Sequence, residues 1–206
     1  MNVEIQANSA FETMVYTVER PEFVEKVKQV SLEYLKDKLL MSEIYPSKMG
    51  GSMESDERIQ DFARFVAVTA GDILTSQGYK TEGLGAYFES MWCQEHQKFS
   101  GMDQHTHPQA LIVGFYFLEV PENSSALILH DPRPGKVAVP LDIANQNEIS
   151  LASSHLNIIP KEGLLVFTNS WLPHSISKNS SNKPLRFVHF NVGLTPHVEN
   201  NNVEII

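Results

Sequence analysis

The feature that most narrows how this chain can fold is a change of hydrophobic rhythm at Gly78: apolar residues recur at helical steps before it and in short runs after it. Pro21 suits the first turn of a helix, where its missing N–H costs nothing, and Glu22 and Glu25 complement the positive end of the helix dipole. Phe23, Val27, Val30 and Tyr34 follow at three- and four-residue steps, which predicts a packing helix. A second helix is expected from Ser55 or Asp56, either of which can cap it. Its inward residues are Ile59, Phe62, Phe65, Val66, Ile73 and Leu74, and Gly78 ends it. Residues 45–55 read as a loop between the two, and residues 11–18 as a short strand ahead of the first.

Beyond Gly78 the apolar runs are punctuated by Gly, Pro, Asn and Ser, the pattern of antiparallel sheets. Strands are expected over 84–93, 110–120, 125–130, 136–140, 156–160, 164–168 and 185–192, joined by turns such as Asp131-Pro132-Arg133-Pro134-Gly135. Helices first and strands after predict an α+β, mainly β chain in which a helical flank over residues 1–80 covers one face of a rolled-up sheet over 84–194. A length of 206 residues fits one domain.

Composition removes several classes of function. A net charge of −9, with Lys and Arg scattered, opposes binding to a phosphate backbone, so no nucleic-acid partner is expected. No apolar run approaches the roughly 20 residues that cross a bilayer, so no membrane association is expected. The first residues lack the pattern of a secretory signal, which makes the cytoplasm the expected location. Cys93 is the single cysteine and reads as a small buried apolar residue. Any metal site must therefore be built from imidazole or oxygen.

Eight histidines give that chemistry its material. In His105-Thr106-His107 the two imidazoles would point to one side of an extended segment, so both can face one cavity. His174 follows the apolar run 164–168 and a short loop, where a side chain can return to the mouth of a sheet. Twelve residues later Arg186 shares a strand face with Val188 and Phe190. A guanidinium among inward residues needs an anion, either a ligand carboxylate or an internal Asp or Glu. His96, His155, His189 and His197 have no partner at ligand spacing and read as surface or core residues.

Taken in order, Trp92, Gly101, His105-Thr106-His107-Pro108, Gly114 to Leu118, Asp131-Pro132-Arg133, Pro160 to Gly163, Phe167 to His174 and Arg186 to Asn191 resemble the 2-oxoglutarate and iron(II)-dependent oxygenases. The likeness is greatest to a small bacterial and phage branch with a His-x-His motif, and it covers roughly residues 84–194. It implies a double-stranded β-helix, a jelly roll of cupin-like shape. Iron(II) would sit on His105, His107 and His174, and 2-oxoglutarate would be the cosubstrate. It further implies that Arg186 holds the distal carboxylate of 2-oxoglutarate and that Tyr116 touches the cosubstrate. Asp131, Arg133, Gln94 and Asn191 would stand around the site, with His130 beside Asp131.

Three positions depart from the wider superfamily: His107 replaces a carboxylate, Phe117 a tyrosine and Gln94 an asparagine. The first leaves a neutral donor set, to which Asp131 or water could add, and which also suits zinc. The expected substrate is a small molecule or peptide, and the helical flank could carry a homodimer contact. Two rivals remain. A cupin would place a glutamate four or five residues after the His pair, where this chain has Leu111 and Ile112. A jelly roll that only binds a ligand would show neither iron-dependent stabilisation nor turnover.

Overall fold

The structure, a computed structural model, describes residues 5–196. Strand β1 (Val15–Glu19) leads through a short 3-10 turn, Pro21–Phe23, into helix α1 (Val24–Leu35). Strand β2 (Ser47–Gly51) separates it from helix α2 (Gln60–Ser76). Asp56 accepts a hydrogen bond from the Arg58 backbone at the turn that opens α2, and Gly78, at φ +88°, closes the helix in the left-handed conformation open to glycine. The remaining strands are β3 (Leu84–His96), β4 (Met102–His105), β5 (Ile112–Glu119), β6 (Leu127–His130), β7 (His155–Ile158), β8 (Leu164–Asn169), β9 (His174–Ile176) and β10 (Leu185–Pro196).

These strands form two antiparallel sheets, a six-stranded one ordered β1-β8-β5-β10-β3-β2 and a four-stranded one ordered β4-β9-β6-β7. The pair is a double-stranded β-helix with the helices on the outer face of the larger sheet. The core is accordingly double. Outside, Val27, Val30, Phe62, Val66 and Leu74 of the helices pack on Met91, Cys93, Tyr116, Phe167, Val188 and Phe190. Inside the roll, Phe115, Phe117, Leu164, Val166, Leu185 and Phe187 of the larger sheet meet Leu127, Leu129 and Ile176 of the smaller. Alternation along β10 thus sends Leu185, Phe187, His189 and Asn191 inward, and Arg186, Val188 and Phe190 towards the helices.

Four local expectations are corrected. Residues 136–140 make no strand. Proline offers no N–H to a ladder, and Pro134 opens a 3-10 turn, Pro134–Ala138, with Pro140 just beyond it. Residues 45–55 are not all loop, since β2 pairs with β3 there. A Cβ on Gly50 would lie 2.8 Å from the Tyr34 Cβ, so the glycine lets β2 slip beneath α1. The short strands β4 and β9 were not foreseen, although both carry histidines. The first strand begins at Val15, four residues later than expected.

Candidate metal centre

His105 closes β4, His107 lies in the loop that follows, and His174 opens β9, whose register sets it directly opposite His105. The His107 backbone N–H donates to the Ser170 carbonyl, tying that loop to the turn before β9. A fourth imidazole, His189, comes across from the middle of β10. Among the described residues these four alone bring three or more metal-binding side chains together, with one ligand atom from each within 4.8 Å of all the others.

Hydrogen bonding fixes which nitrogens are free. His105 Nδ1 lies 2.7 Å from the Asp103 carbonyl and His174 Nδ1 lies 3.0 Å from the Leu172 carbonyl. A carbonyl only accepts, so both rings donate from Nδ1 and keep the Nε2 lone pair for another partner. The Nε2 atoms of His107 and His174 are buried without a hydrogen-bond partner in the protein, as are both nitrogens of His189. Burial, with the neighbouring His105 adding to it, pushes the His107 imidazole down to about 4. Burial likewise brings His174 to about 4 and holds His189 well below the usual histidine range. All three are neutral at pH 7, the state a metal ion requires. The donor set therefore fits an ion.

Residues 90–191, which include all four histidines, match the profile of the family described as "Putative 2OG-Fe(II) oxygenase". The chain belongs to the 2-oxoglutarate and iron(II)-dependent oxygenase superfamily. Solved structures carry the same fold at low identity. EctD from S. alaskensis in its apoform superposes with a TM-score of 0.61 at 13% identity, over 88% of this chain and 73% of that one. A Pseudomonas putida prolyl-4-hydroxylase gives 0.58 at 10% identity, over 88% and 93%. HygX from Streptomyces hygroscopicus, solved with nickel and 2-oxoglutarate, gives 0.58 at 12%, over 90% and 84%. No curated protein matches the sequence.

In this oxygenase the other expected residues divide by sheet face. Trp92 and Gln94 point inward from β3. Trp92 stacks on His189 with ring centroids 4.3 Å apart, and its indole N–H faces the Gln94 amide oxygen at 3.3 Å. Asn191 donates to the Ser90 hydroxyl and joins His107, Glu89, Thr106 and Gln109 around a cavity of about 300 Å3. Arg186 and Tyr116 lie on the opposite face, which corrects the expectation that they touch the cosubstrate. Arg186 places Nε 2.5 Å from Glu95 and a terminal nitrogen 2.5 Å from Glu119, and Lys28 of α1 reaches Glu119 at 3.1 Å. Desolvation opposes ionisation of Glu119, but Lys28 and Arg186 outweigh it and lower its carboxyl below the usual range. The anion needed by Arg186 is thus internal. Tyr116 donates to the Arg20 carbonyl beside Phe62, in the helix-packed core.

Asp131 is not part of the histidine cluster. Arg133 grips it through two nitrogens, at 2.9 and 2.7 Å, and the pair lines a separate groove of about 710 Å3 with His130, His155 and residues 7–15. His130 hydrogen-bonds Ser175, His155 is exposed and His96 is buried in the roll against Phe187. His197 lies outside the described residues. Sequence reasoning missed His189. The available signal was its two-residue step from Asn191 on β10, had the inward face of that strand been known.

Proposed function

We propose that this protein is an oxygenase that holds iron(II) through His105, His107 and His174 and uses 2-oxoglutarate to hydroxylate a small-molecule or peptide substrate, releasing succinate and carbon dioxide. The convergence of the three imidazoles, each with a free lone pair, carries the proposal, within a chain whose residues 90–191 match the family. Iron(II) with a 2-oxo acid supplies the oxidising power, and the protein supplies position. Asp103 and Leu172 would aim His105 and His174 through their backbone carbonyls. The apolar roll of Phe115, Phe187 and Leu129 would keep water from the buried side of the ion. The cavity beside His107 and Asn191 is the approach a substrate would use.

A second reading, a cupin-type metalloprotein that binds its organic ligand without 2-oxoglutarate, is favoured by one observation. The inward positions of the central strands are Ser90, Trp92, Gln94 and His96 on β3; Val113, Phe115 and Phe117 on β5; Leu164, Val166 and Thr168 on β8; and Leu185, Phe187, His189 and Asn191 on β10. None is Lys or Arg, so the distal carboxylate of 2-oxoglutarate meets no fixed cation there. Anaerobic titration of the iron(II) protein with 2-oxoglutarate separates the two. The weak visible charge-transfer band of a chelated 2-oxo acid, abolished by His174→Ala, supports the oxygenase. Tight metal binding with no band at saturating 2-oxoglutarate overturns it in favour of the cupin-type reading.

A further inference from the structure

We propose that His189 is a fourth metal ligand, so that the site is a four-imidazole centre; this rests on the metal site proposed above. His189 is fully buried, and neither ring nitrogen has a partner in the protein. A buried donor or acceptor left unpaired forfeits the hydrogen bond it had with water, so an imidazole in this state needs a reason to be there. Its ring is fixed between Trp92, stacked at 4.3 Å and 14°, and Phe115, also at 4.3 Å, which leaves it little freedom to turn towards a protein partner. From that fixed position a nitrogen lies within 4.8 Å of the candidate ligand atoms of His105, His107 and His174. Nitrogens on one ion at about 2.1 Å stand at most about 4.2 Å apart, so small ring adjustments bring all four to a common centre.

Packing alone accounts for the stack on Trp92, but a phenylalanine would serve that role without two unsatisfied nitrogens. The donor chemistry has a consequence for selectivity. Four neutral imidazoles suit zinc, cobalt, nickel or copper at least as well as iron(II), and a six-coordinate ion held by all four keeps two free positions. A bidentate ligand fills both, so a third added ligand enters only if one imidazole leaves.

Cobalt(II) is the probe, added to the full-length protein and read by X-ray absorption for the number of imidazoles and by competition titration for affinity. The expected result is four imidazoles in the unmutated protein. His189→Phe, which preserves the stack, should weaken cobalt binding by at least about a hundredfold, because even outer partners of ligands contribute 10- to 100-fold. Three imidazoles, with His189→Phe binding normally while His174→Ala does not bind, overturns the fourth ligand and leaves the three-histidine site standing. No tight cobalt binding by the unmutated protein removes both. If His189→Phe does not fold, the imidazole count on the unmutated protein decides alone.

Discussion

Replacing Arg186 tests whether it belongs to the packing of the fold or to the cosubstrate. Its guanidinium joins Glu95 and Glu119 on the helix side of the larger sheet. The side chains of Arg186 and Glu95 are 19% and 6% exposed, so little water screens the pair. In Arg186→Met, Glu119 keeps Lys28 at 3.1 Å, but Glu95 retains only a neutral donor, the Gln97 amide at 2.6 Å, and a distant cation, Lys48 at 4.0 Å. Removing one partner of a buried pair costs about 3–5 kcal/mol, and the residual exposure, the Gln97 hydrogen bond and Lys48 place this case at the low end, about 3 kcal/mol. For a chain of this size that is a fall of about 6–12 °C in Tm. Adding Glu95→Gln should recover part of the loss, because the stranded charge is gone. The assay is urea denaturation of the three proteins beside titration of each folded iron(II) form with 2-oxoglutarate. The expected outcome is a large loss of stability and an unchanged 2-oxoglutarate midpoint. An Arg186→Met protein of native stability whose 2-oxoglutarate midpoint rises tenfold or more would refute the assignment.

Further outcomes follow from other contacts. His96 is buried with both nitrogens unpartnered in the protein, and burial lowers its imidazole to about 4. A depressed folded-state value gives stability that is present above the unfolded histidine value of about 6.5 and lost as pH falls towards 4, here about 3 kcal/mol. Urea melts at pH 7.5 and 4.5 should therefore show a smaller acid loss in His96→Leu than in the parent, and equal losses would contradict the burial argument. Gly114→Ala would drive a methyl group into the Val166 carbonyl and the Phe190 ring across the central strands, and should lower stability by about 3 kcal/mol or more in the same assay. Because Trp92 stacks on His189, a paramagnetic ion at the histidines should quench its fluorescence in a Trp171→Phe background, and quenching that persists in His174→Ala would place the ion elsewhere. Zinc at a hundredfold excess over its Kd should add about 2.7 kcal/mol of stability, read as a Tm increase that His174→Ala abolishes.

The helices were legible because α1 and α2 each bury one stripe, so Val27, Val30, Phe62 and Val66 recur with the helical period. The long strands were legible from their apolar runs. β4 and β9 were not, since strands of four and three residues such as Met-Asp-Gln-His and His-Ser-Ile carry too little alternation to register. The histidine triplet could be read because His-x-His spacing has a direct geometric meaning. The faces of Arg186 and His189 could not, because β10 is packed on both sides. With Val188 and Phe190 towards the helices and Leu185 and Phe187 towards the roll, both faces are apolar and alternation loses its sign. Only the tertiary arrangement says which side is the interior.

The placement of the four histidines has a mechanical consequence. His105, His107 and His174 all hang from the smaller sheet or its loops, whereas His189 belongs to the larger one. An ion held by the first three alone would ride on a single sheet and leave the mouth of the roll free to breathe. Shared with His189, the same ion becomes a clasp across the seam, joining segments far apart in the chain and adding to the connecting loops and side-chain contacts that already hold the sheets together. Prying the sheets apart would then require breaking a metal–nitrogen bond first, so the ion would govern how slowly the roll opens as well as what it binds.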